Sequence, residues 1–311
     1  MSPMRAPVPV RRDDLPSRVT VWEVGARDGL QNEAAVVDTA TKVELVDRLT
    51  AAGLPVVEAT SFVRPDLVPQ LADAAEVMAG ITRAPGVRYP VLVPNDRGLD
   101  AAIAAGATEI AVFASATDSF ARRNLGRPMA DQMAMFTPVV ARARARGLPV
   151  RGYVSMCFGD PWEGAVDPGQ VIGVCTDLLA AGCTELSLGD TIGVATPGQV
   201  RSLVTGLTSA GVPIGSIGVH FHDTYGQALA NTLAALGSGV TTVDSSAGGL
   251  GGCPFAESAT GNLATEDLVW MLDGLGIETG IDLEALVATS TWMAGRLGRP
   301  PVSRVVQALG R

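Results

Sequence analysis

The sequence predicts a closed parallel (β/α)8 barrel, an α/β TIM barrel with an extra C-terminal helix. Three observations lead there: eight strand patterns alternate with helical ones, the strands are continuously apolar, and most helices end in glycine just before the next strand. Strands packed inside a barrel and covered by helices outside meet apolar surroundings on both faces. They therefore lose the polar and apolar alternation of a half-exposed sheet.

The first eighteen residues are rich in proline and arginine and read as a mobile leader, with residues 19–311 as one domain. Val19 to Val24 reads as the first strand, Gly25 to Asn32 as a polar turn and Thr39 to Ala52 as the first helix. Further strands are expected at Val56 to Ser61, Arg88 to Val93, Glu109 to Ala114, Val150 to Met156, Glu185 to Leu188, Ile217 to Phe221 and Thr241 to Asp244. Helices between and after them are expected at Asp66 to Gly80, Arg97 to Ala105, Ala130 to Arg146, Pro168 to Ala181, Pro197 to Ala210, Gly226 to Gly237 and Thr265 to Gly274. Pairs such as Ala52-Gly53, Ala105-Gly106, Arg146-Gly147, Ala181-Gly182 and Ala210-Gly211 supply the glycine that closes a helix with left-handed backbone. A further helix, Leu283 to Arg296, follows the eighth unit. An open doubly wound sheet is the competing architecture.

The chain has 311 residues, 47% of them hydrophobic, enough for the core of one large barrel. Its net charge of −9 argues against a nucleic-acid partner, and any anionic substrate must be held by local arginines. Lys42 is the single lysine and reads as part of a solvated helix face, a poor candidate for Schiff-base chemistry. Four cysteines without paired spacing, no secretory segment and no apolar run long enough to span a bilayer lead us to expect a cytoplasmic protein with no membrane partner.

Barrel enzymes carry their chemistry at the C-terminal ends of the strands. There the sequence places Arg27-Asp28, Glu58, Tyr153 and Ser155, Gly189-Asp190-Thr191, His220 and His222, and Asp244-Ser245-Ser246. The chain has two histidines, one residue apart, and on a strand both point to the same side. Two unrelated histidines would be the plain explanation. With Asp28 and the amide oxygen of Asn262 they would instead make a mixed nitrogen and oxygen site suited to Mg²⁺ or Mn²⁺. A zinc hydrolase would want a third histidine or a cysteinate at the metal. The run Gly248-Gly249-Leu250-Gly251-Gly252-Cys253-Pro254 can swing a thiol over the barrel mouth, bind phosphate through backbone N–H groups, or serve as a flexible connection. Cys175 and Cys183 read as core packing; Cys157 is open between packing and function.

Several long blocks carry a resemblance: Glu23-Val24-Gly25-Ala26-Arg27-Asp28-Gly29-Leu30-Gln31-Asn32-Glu33, Glu58-Ala59-Thr60-Ser61-Phe62-Val63, Val150-Arg151-Gly152-Tyr153-Val154-Ser155 and Ser187-Leu188-Gly189-Asp190-Thr191-Ile192-Gly193. They continue through His220 to Gln227, Gly248 to Pro254 and Gly261 to Asp267. In this order, over about Val19 to Leu283, the sequence resembles the 3-hydroxy-3-methylglutaryl-CoA lyases, metal-dependent TIM-barrel acyl-CoA lyases.

The resemblance implies cleavage of 3-hydroxy-3-methylglutaryl-CoA to acetyl-CoA and acetoacetate. It implies Asp28, His220, His222 and Asn262 as ligands of Mg²⁺ or Mn²⁺, Arg27 as the group that stabilises the thioester enolate, and Cys253 as a catalytic thiol. Glu58, Gln31, Asp190 and Thr191 also match active-site positions, and Tyr153 is expected beside the substrate. Asp190, His220 and Asp28 are the alternatives for the base, with Asp190 preferred because a metal-bound histidine is a poor base. A homodimer is the expected assembly, acting in leucine degradation. Gly159 to Gly164 departs from the better-known members, so a longer 3-hydroxy-3-alkylglutaryl-CoA remains an alternative substrate, as does a related aldolase or condensing reaction.

Overall fold

Strand β1 (Thr20–Glu23) starts a wholly parallel sheet whose members follow one another around a circle. The others are β2 (Val56–Val57 and Thr60–Ser61), β3 (Val91–Leu92), β4 (Ile110–Ser115), β5 (Val150–Ser155), β6 (Glu185–Asp190), β7 (Ile217–Phe221) and β8 (Thr242–Ser245). The computed structural model describes residues 5–31, 33, 35–251 and 261–310.

The barrel closes at β2, whose halves serve different neighbours. Val56–Val57 pairs with β1 and Thr60–Ser61 with β3. Between them Glu58 N–H donates to Glu23 O at 2.8 Å and Ala59 N–H to Pro90 O at 3.0 Å, so the run stays bonded to both sides through the break. With β1 also paired to β8, the ring is complete and the open-sheet alternative is excluded.

The helices are α1 (Thr39–Ala51), α2 (Ala74–Gly80), α3 (Asp96–Ala104), α4 (Asp118–Leu125), α5 (Gln132–Ala145), α6 (Pro168–Ala181), α7 (Pro197–Ser209), α8 (Ala228–Leu236), α9 (Thr265–Gly274), α10 (Leu283–Leu297) and α11 (Arg304–Leu309). Their apolar stripes pack on the outer faces of the strands, and Trp22, Val24 and Val56 form one separate small cluster and Leu92, Ala111 and Tyr153 another. The glycine-ended helices form as expected; Gly53, after α1, takes φ +91°, and a side chain there would strike Gly280 O.

Three expectations are corrected. The helix expected from Asp66 begins only at Ala74, because Pro69 opens a separate 3-10 turn over Pro69–Leu71. The turn expected over Gly25 to Asn32 is a π-helical turn over Gly25–Gly29. Lys42 is buried, not solvated: its Nζ ion-pairs with Asp73 at 2.7 Å and donates to Gln70 O.

Candidate active site

Parallel register puts Trp22, Asp244, His220 and Gly189 in one row across four adjoining strands. His220 and His222 leave β7 with their rings 5.4 Å apart. The π-helical turn after β1 brings Asp28 over the same rim, and ligand atoms of Asp28, His220 and His222 lie within 4.8 Å of one another. Burial works against the charged carboxylate of Asp28, but Arg27, His220 and His222 outweigh it and lower its pKa to about 2.

Asn262 reaches this cluster by backbone pairing with His222. Its Nδ2 donates to Asp28 Oδ2 at 2.9 Å and to Leu250 O at 3.0 Å. Its Oδ1 is buried with no hydrogen-bond partner among the described residues. An orphaned buried carbonyl beside an ionised carboxylate and two imidazoles is the donor set that a hard to borderline divalent cation requires. Gly251, at φ +117°, lets the loop pass here, since a side chain would strike the Asn262 amide.

Arg27 lies against this cluster and is nearly fully buried. Its Nη1 donates to Asp28 Oδ1 at 2.6 Å and its Nε to Glu58 Oε1 at 2.5 Å. Glu58, fully buried behind it, also accepts from Trp22 Nε1 at 3.1 Å and from the Tyr153 hydroxyl. Burial opposes the guanidinium charge, and the two carboxylates more than restore it. The result is a fixed cation whose planar group is oriented on two sides.

A cavity of about 1060 Å³ opens from this floor. Arg27, Asp28, Gln31, Tyr153, Thr191, His220 and His222 line it, together with Arg64, Arg123 and Arg127. Thr191 Oγ1 accepts from Met156 N–H at 2.9 Å, which steadies Met156 in the left-handed backbone at φ +60°.

Asp190 is placed differently from the others. Its carboxylate accepts from Val194 N–H at 2.9 Å and Ala195 N–H at 3.1 Å, and it does not line the cavity. Burial raises its pKa to about 6, against those backbone bonds and the nearby His220. It builds the turn after β6, one layer behind the cavity wall. Cys157 resolves to packing: it is buried, its Sγ donates to Val154 O at 3.1 Å, and burial pushes its pKa well up. Cys175 and Cys183 are likewise buried. Cys253 lies outside the described residues.

The family model described as HMGL-like matches residues 18–293. The chain belongs to the HMGL-like family. It is 52% identical over 297 residues to a hydroxymethylglutaryl-CoA lyase of Gallus gallus named as mitochondrial, covering 96% of this chain and 99% of that one. Among solved structures it is similar to the hydroxymethylglutaryl-CoA lyase of Pseudomonas aeruginosa, with TM-score 0.93, 49% identity and coverage of 95% and 98%. An HMG-CoA lyase of Acinetobacter baumannii in complex with coenzyme A and 3-methylmalate matches with TM-score 0.91, 37% identity and coverage of 96% and 97%. The HMGL-like chain thus has the barrel of enzymes that act on acyl-CoA esters.

Arg151, Ser187 and Asp244, which sequence reasoning gave no role, stand directly behind the cluster. Asp244 was visible as a polar strand end, and Arg151 as a charge within an apolar strand, but nothing in the sequence tied the two together.

Proposed function

We propose that this chain is a divalent-metal-dependent carbon-carbon lyase that cleaves 3-hydroxy-3-methylglutaryl-CoA to acetyl-CoA and acetoacetate. The observation that carries this reading is the convergence of Asp28, His220, His222 and the unpartnered Asn262 Oδ1 beside buried Arg27, at the floor of a cavity large enough for an acyl chain. Family membership and relatives at about half identity support the same reaction.

Asp28, His220, His222 and Asn262 would hold the cation, with Mg²⁺ or Mn²⁺ the fitting choice for two nitrogens and two oxygens. When bound, the cation supplies a Lewis acid that makes the C3 hydroxyl of the substrate more acidic. Of the candidate bases, Asp190 does not line the cavity and His220 turns Nδ1 to Asp244. Asp28 is therefore the group we assign to take the C3 hydroxyl proton, and the electron pair left on oxygen forms the ketone of acetoacetate. The C2–C3 bond breaks, and its pair moves onto the thioester as an enolate. Arg27, pinned by Glu58 and Asp28, is the donor for that enolate oxygen. Single fixed donors of this kind lower barriers by about 3 kcal/mol. Protonation at C2 then completes acetyl-CoA, and Cys253 is the group we assign to that step.

Gln31, Tyr153 and Thr191 shape the acyl part of the cavity. Arg123 and Arg127 offer the phosphates of CoA local positive charge on a chain whose overall charge is negative, while Arg64 is paired with Asp66. Purified chain supplied with the thioester and Mg²⁺ or Mn²⁺ should release acetoacetate and acetyl-CoA, and chelator should stop it. Absence of acetoacetate with metal present would sink the reading. Turnover confined to thioesters with longer C3 substituents would move it to the alternative substrate.

A further inference from the structure

Asp244, at the level of His220 on the neighbouring strand, is completely enclosed. Its Oδ2 lies 3.2 Å from His220 Nδ1 and accepts from Ser187 Oγ at 2.8 Å, and its Oδ1 accepts from Arg151 Nη2 at 2.7 Å. Arg151 is itself fully buried, with its guanidinium 3.8 Å over the Trp22 ring. Gly218 makes room for it, because a side chain there would sit 2.6 Å from Arg151 Nη2.

This arrangement is a poor device for stability. Arg151 Nε and Nη1 are buried with no hydrogen-bond partner among the described residues, and a buried ion pair is often matched or bettered by apolar packing of the same volume. It is well suited to orienting an imidazole. A carboxylate paired to an arginine and bonded to a hydroxyl only accepts, so the ring nitrogen facing it must carry the proton.

We infer that Asp244, held in place by Arg151 and Ser187, is a positioning residue that keeps the His220 proton on Nδ1 and presents Nε2 as the metal-binding atom. The inference rests on the metal site proposed above. Asp244 touches no substrate in this role; it acts through His220. An unguided imidazole would spend part of its time flipped or with its proton on the ligating nitrogen, and metal affinity would fall accordingly.

The test is Mn²⁺ binding by the full chain, followed by electron spin resonance, with nitrogen couplings read by pulsed methods. Wild-type protein should take up one Mn²⁺ with imidazole nitrogen couplings. Asp244→Asn, which can offer an amide N–H to Nδ1 and drive the proton to Nε2, should weaken binding by roughly 10–100-fold and change the nitrogen couplings. Ser187→Ala keeps the Arg151–Asp244 pair and carries the test if Asp244→Asn does not fold; a several-fold loss of affinity with unchanged melting is expected. Wild-type affinity and couplings in a folded Asp244→Asn, or in Ser187→Ala should Asp244→Asn not fold, overturn the positioning role while leaving the metal site standing. Failure of the wild-type chain to bind Mn²⁺ overturns the metal site, and this inference with it.

Discussion

Glu58 Oε1 accepts from Arg27 Nε at 2.5 Å inside the barrel, and the same carboxylate receives Trp22 Nε1 on its other oxygen. The guanidinium proposed to meet the thioester is therefore aimed from behind by a residue that does not line the cavity. Glu58→Gln keeps the shape and removes the charge that orients Arg27. It should lower kcat by about 100-fold, a loss of the size seen when one fixed oxyanion donor is disturbed, and leave Mn²⁺ affinity unchanged. Steady-state kinetics beside a Mn²⁺ titration checks both halves. Normal kcat would show that Arg27 finds its place without Glu58.

Asn262 commits both amide hydrogens, to Asp28 and to Leu250 O, and its oxygen has no hydrogen-bond partner among the described residues. Asn262→Ala removes a ligand and the tie to Asp28, so Mn²⁺ affinity should fall by more than tenfold. Asn262→Asp should restore much of it, because an acidic oxygen can take the same position. Isothermal titration of the two variants separates them; equal affinity in all three proteins would remove Asn262 from the metal site.

Much of the barrel could be read from the chain because closed barrels repeat their signals. The glycine at Gly182 that ends α6 and the apolar run of β4 each recur in kind around the ring. Helices α4 and α11 were missed although Gly126 and Gly310 end them, because they are short and α4 buries only Phe120 and Ala121 while carrying Arg122 and Arg123 in its last turn. Of the site, His220, His222 and Asp28 were legible from spacing and strand ends. Lys42 misled because charge on a helix suggests solvent, whereas burial was decided by Asp73 and Gln70, remote in sequence. Arg151 and Asp244 are 93 positions apart, and only barrel closure makes them partners.

Lys42 is therefore a stability residue. Its ammonium spans Asp73 and Gln70 O, joining α1 to the segment before α2. Lys42→Met fills the space but strands a partly exposed carboxylate. It should cost about 1–3 kcal/mol, below the full penalty for a completely enclosed pair because Asp73 is 20% exposed. Urea unfolding measures this, and kcat should not change.

Cys253→Ala tests the protonation step apart from the metal. Turnover should drop by about 10²–10⁴-fold, the span of a lost general acid, with Mn²⁺ binding and melting temperature unchanged. Exchange of solvent deuterium into acetyl-CoA gives a second reading. Near-normal kinetics would remove the thiol from the mechanism.

The pH dependence of stability should show two enclosed carboxylates at the foot of the glycine-rich loop. Glu23 accepts from Gly25 N–H, Ala247 N–H and Thr265 Oγ1; Glu266 accepts from Gly248 N–H and Ser290 Oγ. Burial raises Glu23 from 4.5 to about 7, and burial with the nearby Glu23 charge raises Glu266 to about 8. Between those limits the folded chain keeps protons that the unfolded chain has released. Their contribution is thus fully present below pH 4.5 and is lost as pH rises through 7 and 8. Asp28, with its pKa lowered to about 2, has the opposite sign, but its contribution changes only in strong acid. Melting temperature should therefore fall by several degrees from about pH 6 to about pH 8.5, and Glu266→Gln should flatten that slope while keeping an amide that accepts from Gly248 N–H. Calorimetry on both proteins across this range decides it: a wild-type melting temperature that is level or rising with pH would mean that the two carboxylates are ionised in the folded chain.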